Sequence, residues 1–118
     1  MLASGMPIHP DFKRATNKVL EEYCRKKTSA TGGRIEVKFS WRGASVTLAE
    51  RKPWVLEPSG WIEIAVAQFR YSSPDAEWTL YWADRNSRWH PYDDLSSAPD
   101  LGTLLAEVDE DPTGIFWG

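Results

Sequence analysis

The stretch from Glu77 to Tyr92 constrains this chain more than any other. Trp78-Thr79-Leu80-Tyr81-Trp82-Ala83 alternates at period two, Asp84-Arg85-Asn86-Ser87 interrupts the alternation, and Arg88 to Tyr92 resumes it. Period two is the side-chain repeat of a β-strand. Asp, Asn and Ser favour turns because their short side chains bond to nearby backbone groups. The stretch therefore predicts an aromatic β-hairpin. Alternation sends Trp78, Leu80 and Trp82 to one face and Thr79 and Tyr81 to the other, with Trp89 and Tyr92 arriving from the second strand.

The remaining segments supply a sheet and its cover. From Pro10 to about Lys27, Phe12, Ala15, Val19, Leu20, Tyr23 and Cys24 recur at three- and four-residue steps, which predicts one apolar stripe on an amphipathic helix. Thr28-Ser29-Ala30-Thr31-Gly32-Gly33 stops it. Ile35, Val37, Phe39 and Trp41 alternate with polar residues, Arg42-Gly43 turns the chain, and Ala44, Val46 and Leu48 return to about Glu50, which predicts a hairpin. Lys52 to Gly60 contains two prolines and reads as a loop or an irregular edge. Trp61 to Tyr71 is apolar on both alternating sets and predicts a central strand covered on both faces. Leu101, Leu104, Leu105 and Val108 mark a short second helix begun near Pro99 or Asp100.

The order is thus an N-terminal helix, an antiparallel meander of about five strands and a short C-terminal helix: an α+β fold with both helices on one face of the sheet. With 118 residues the chain fits a single domain over residues 10–118 behind a flexible N-terminus at 1–9, with Met1 or Met6 as the start. The ending Ile115-Phe116-Trp117-Gly118 is apolar enough to pack back as a cap or to insert into a partner.

Glu77-Trp78-Thr79-Leu80-Tyr81-Trp82-Ala83-Asp84-Arg85-Asn86-Ser87-Arg88-Trp89-His90 and Leu104 to Gly118, with the ending Asp111-Pro112-Thr113-Gly114-Ile115-Phe116-Trp117-Gly118, resemble a bacterial family of small uncharacterised proteins known as a domain of unknown function. Glu50-Arg51-Lys52-Pro53 and Ala67-Gln68-Phe69-Arg70-Tyr71 extend the likeness over most of the chain after the first helix. The resemblance implies a bacterial origin and a stand-alone domain. It implies no chemistry.

Read from the residues, three functions compete. Rings outnumber the core positions of the hairpin, and Arg70, Arg85 and Arg88, the only Lys or Arg after residue 52, cluster around them. Arg with Trp and Tyr on a sheet suits contact with a protein or peptide. The first expectation is a non-catalytic binding module using Arg70, Tyr81, Trp82, Arg85, Arg88, Trp89 and Tyr92. The second is a metal-dependent hydrolase or nuclease-like enzyme in which Asp84, His90, Asp93 and Asp94 hold a divalent ion, although turns place Asp at such positions without any metal. The third is nucleic-acid binding by the basic N-terminal half, since residues 1–52 carry a net +6 and residues 53–118 a net −9. The alternative use of that asymmetry is mutual neutralisation across the fold. The helix, strands, helix order is shared with double-stranded RNA binders, but Asp100, Glu107 and Asp109 on the second helix, without Lys or Arg, would repel phosphate. Arg34, Lys38, Arg42, Arg51 and Lys52 would have to carry any such contact.

No phosphate-binding glycine loop, nucleotide fingerprint or nucleophile elbow is present, so no cofactor is expected. Cys24, the single cysteine, allows no intramolecular disulfide and fits a reducing compartment. No stretch reaches the length of a membrane-spanning helix, so the expectation is a cytoplasmic protein. The sequence sets no oligomeric state.

Overall fold

The computed structural model describes residues 8–57 and 59–117. Most of the expected flexible N-terminus, including Met1 and Met6, lies outside the described residues. Helix α1 spans Pro10–Ala30. Pro10 suits the first turn because the N–H it lacks would have had no helical partner, and the imidazole Nδ1 of His9 accepts the Asp11 N–H at 3.1 Å. The helix runs past Lys27 because the Thr28 hydroxyl accepts the Val37 N–H at 2.9 Å and ties the last turn to the sheet. Gly32 and Gly33, both at positive φ, then break it. Its buried stripe is narrower than the spacing predicts: Thr16, Leu20 and Cys24 face the core at four-residue steps, whereas Val19 is exposed.

The strands are β1 Glu36–Arg42, β2 Ser45–Pro53, β3 Trp61–Ser72, β4 Glu77–Ala83, β5 Trp89–Pro91 and β6 Ser97–Ala98. They are antiparallel in the order β1-β2-β3-β4-β5, and β6 pairs with β4 beyond the end of β5. The meander and the α+β class are as the sequence predicts. The last strand is split, because a 3₁₀ turn at Asp93–Leu95 lifts the chain off β4 and returns it at Ser97. Helix α2, Leu101–Glu110, starts on Asp100, whose carboxylate accepts the Thr103 N–H at 3.0 Å and the Thr103 hydroxyl at 2.6 Å.

Leu20 and Cys24 of α1 and Leu104 and Val108 of α2 share one hydrophobic cluster with Val46, Leu48, Phe69, Trp78 and Leu80 of the sheet. Both helices therefore cover the same face. Trp78, 1% exposed, is the largest side chain in this core and packs with Phe12, Trp41 and Tyr71.

Strand β3 departs from the expectation of cover on both faces. Leu48 pairs with Ala67 but Ala49 pairs with Ala65, so Val66 is an extra residue, a β-bulge. Partners in an antiparallel pair share a face. The bulge therefore brings Ile62 and Ile64 onto the same face as Ala67 and Phe69, leaving Trp61, Glu63, Gln68 and Arg70 on the other. Beyond it, β2 and β3 continue as an arm to Pro53 and Trp61, flanked by β1 on the β2 side as far as Arg51 and closed by a loop held by Trp54 N–H donating to the Gly60 carbonyl at 3.0 Å.

Candidate functional site

The open face of the sheet is built from residues that alternation turns away from the helices. Gln68 stands opposite Tyr81, and Arg70 stands opposite Thr79. Arg70 reaches diagonally across this register, so its guanidinium lies 3.8 Å from the centroid of the Tyr81 ring. Its Nε donates to Gln68 Oε1 at 2.7 Å, and Gln68 Nε2 donates to Thr47 Oγ1 at 3.0 Å. A polar chain Thr47, Gln68, Arg70 thus crosses from β2 to β3 and fixes the cation over a ring on β4. Such a stack contributes roughly 0.5–1 kcal/mol when exposed and about 2 kcal/mol or more once desolvated. Trp89, opposite Ala83 in β5, lies half-buried on the same face, and Arg88 is exposed beside it. This arrangement can stack on and donate to a ligand.

The other predicted residues go elsewhere. Trp82 points to the helix side and stacks on His90 with centroids 4.6 Å apart. His90 Nε2 lies 2.7 Å from Asp84 Oδ2, and Asp84 Oδ1 accepts the N–H groups of Asn86 at 2.8 Å and Arg88 at 3.0 Å. The bond to His90 first, then the two backbone donors, holds the Asp84 carboxyl down at about 2. This is a turn built by an Asp, with Ser87 at positive φ closing it. Asp93 and Asp94 sit exposed on the 3₁₀ turn, and among the described residues no three His, Cys, Asp or Glu side chains come together to hold a metal ion. The predicted metal constellation therefore does not assemble. Arg85 is exposed and has no ion-pair partner among the described residues.

Tyr92 is 3% exposed and presents no surface to a partner. Its ring packs 5.0 Å from that of Phe116, its hydroxyl donates to Glu107 Oε2 at 2.7 Å, and burial, aided by Glu107, pushes the phenol up to about 12. The signal was in the spacing, because Tyr92 lies two residues after His90, which shares the helix-side face with Trp82.

Part of the basic N-terminal half is committed to ion pairs, while Lys13, Lys18, Arg34 and Arg42 have no carboxylate partner among the described residues. Arg14 pairs with Asp11, Arg25 with Glu22 at 2.6 Å, Arg51 with Glu36 at 3.8 Å and Lys52 with Glu50 at 3.2 Å. Lys27 with Asp109 at 2.8 Å and Lys38 with Glu63 at 3.3 Å join the two halves. Sequence reasoning missed the arm loop: Trp54, Val55 and Leu56 are exposed, Val55 at 92%. Their apolar character inside a proline-flanked loop was the available signal.

Two helices on one face of an antiparallel sheet, with arginine and aromatic rings on the other, define a two-layer α+β domain whose distinguishing surface is a strand face. No helix of the described residues is long and apolar enough to cross a membrane. The chain belongs to the family described as a domain of unknown function, DUF3024, whose model matches residues 7–118. No curated protein and no solved structure matches it.

Proposed function

We propose that this chain is a cytoplasmic, non-catalytic binding module that contacts a protein or peptide through the open face of its sheet, with Arg70, Tyr81 and Trp89 at the centre and Arg88 at the rim. The observation that carries this reading is the Arg70 guanidinium fixed 3.8 Å over Tyr81 on the face that neither helix covers. Arg, Tyr and Trp are the residues enriched where partners dock, and a preorganised guanidinium loses little freedom on binding. Arg70 keeps both terminal amino groups without protein acceptors among the described residues, so they remain for carbonyls or carboxylates of the partner. Local pairing of Arg25, Arg51 and Lys52 gives less support to phosphate contact.

The test is affinity capture from the lysate of the native host with mass spectrometry, comparing wild type with an Arg70→Ala, Tyr81→Ala variant of unchanged melting temperature. The expected result is a protein retained by wild type whose recovery falls about tenfold or more with the variant, matching a loss near 1.4 kcal/mol. The same proteins recovered equally by both would sink the reading.

A further inference from the structure

Strand β3 is 12 residues long, but β4 pairs only with Ala67–Ser72. Among the described residues no strand lies beside Trp61–Ala65 on that side. The backbone groups there have a definite parity. Trp54 N–H donates to the Gly60 carbonyl, so along the register Lys52–Ile62 and Glu50–Ile64 exchange the ladder bonds. Trp61, Glu63 and Ala65 therefore turn their N–H and C=O groups to the free edge. The same parity holds beyond the bulge, because Leu80 gives its N–H to Ser96 and its carbonyl to Tyr92, leaving Gln68 and Arg70 to bond β4.

We propose that this edge accepts an extended peptide as an added β-strand, with aliphatic side chains at alternate positions and a carboxylate at the end nearest Ala83. A groove of about 540 Å³ runs beside the edge, bounded by Ile62, Ile64 and Ala65 on one side and by Ala83, Arg85 and Trp117 on the other. Every second side chain of an added strand falls on the helix-side face, over Ile62 and Ile64 and toward Ile115 and Phe116. Of the six large apolar residues left exposed among the described ones, Trp54, Val55, Leu56, Trp61 and Ile64 all belong to this arm. Apolar surface concentrated on one element marks an interaction site.

Charge selects the occupant. Glu50 is held by Lys52 at 3.2 Å and Glu63 by Lys38 at 3.3 Å, and the Asp84 carboxylate accepts from His90 at 2.7 Å and from its own turn, which leaves Arg85 as the charged side chain of the groove without a partner among the described residues. A guanidinium on a planar fork recognises a carboxylate with two parallel bonds. The proposal stands apart from the open-face reading, since neither Arg70 nor Tyr81 borders this groove.

Two synthetic peptides of alternating valine and threonine, both acetylated and C-terminally amidated, one ending in aspartate and one in lysine, test it by titration with amide hydrogen exchange. The aspartate-ended peptide should bind about tenfold more tightly, and it should protect the amides of Trp61, Glu63 and Ala65. Arg85→Glu, an exposed substitution, should invert the preference. Glu63→Pro removes an N–H from the free edge without breaking the β2–β3 ladder and should weaken binding about tenfold or more, whereas Glu63→Gln, which loses the Lys38 ion pair but keeps the N–H, should bind as wild type does. The Arg70→Ala, Tyr81→Ala variant should bind the aspartate-ended peptide as wild type does. Absence of binding by either peptide, a preference unmoved by Arg85→Glu, or protection of those amides by raised protein concentration alone, the mark of a second copy at the edge, would each overturn the proposal.

Discussion

Asp84 shows how much of the hairpin one side chain arranges. Its two oxygens bind three donors, two on its own turn and one on a ring that is itself stacked on Trp82. The carboxyl sits at about 2, below the roughly 3.9 of an unfolded aspartate, so the fold favours the charged form. A depressed value gives stability that is present above the unfolded pKa and lost as pH falls through the folded one. Between about pH 4 and pH 2 the melting temperature of wild type should therefore fall more steeply than that of Asp84→Asn, whose amide oxygen keeps the turn acceptor without the charge. Parallel curves would mean that the charge contributes nothing to the turn. The turn role was legible, because Asp four residues before Arg88 at a break in alternation has few other uses. The stack of His90 on Trp82 was not, since it depends on the pairing register of a strand only three residues long.

The C-terminal segment is the element whose two sequence readings the structure separates. Asp111, at positive φ, ends α2, and its carboxylate accepts the N–H groups of Phe116 at 3.0 Å and Trp117 at 2.9 Å, folding the chain back on itself. Phe116 is buried against Tyr92, and the Trp117 indole N–H donates to the Val108 carbonyl at 3.0 Å. The segment is a packed cap. Phe116→Ala should lower the free energy of unfolding by about 3 kcal/mol in a denaturant titration, the lower end for a buried Phe, and deletion of residues 113–118 should cost more. An unchanged midpoint for the deletion would return the segment to the role of a free anchor. Strands carrying several alternating residues, β1 to β4, were legible from pattern alone. The two-residue β6 was not, because nothing in Ser97-Ala98 has a period; it is set by its partners, with Leu80 N–H meeting the Ser96 carbonyl and Thr79 and Trp78 pairing with Ser97 and Ala98. The stripe of α1 was overdrawn at Val19 for a related reason, since spacing defines which residues share a face but not how far a neighbouring helix extends over them.

Across the whole molecule, cover is uneven along the long strands. Extents of 47 × 28 × 27 Å describe an elongated shape, and the helices and β4 cover the part of β3 that holds Phe69, while the stretch of β3 before Val66 pairs with one strand, β2. The bulge was not legible in the sequence, where Trp61 to Tyr71 looks uniformly apolar; one extra residue decides which of those side chains meet helices and which meet solvent. This asymmetry predicts a gradient of local stability, because opening costs least where apolar contacts are few and backbone bonds are exposed. Amides of Trp61, Glu63 and Ala65, directed at the free edge, should exchange within the time of the first measurements in unliganded protein. Those of Ala67 and Phe69, bonded to β2 under the core, should exchange only through global unfolding. Ile62 and Ile64 should fall between, because their bonds to β2 break when the arm separates without loss of the core. If all seven amides of Trp61–Ala67 were protected alike, the arm would be part of one cooperative unit, and the free edge could not open and close independently of the fold.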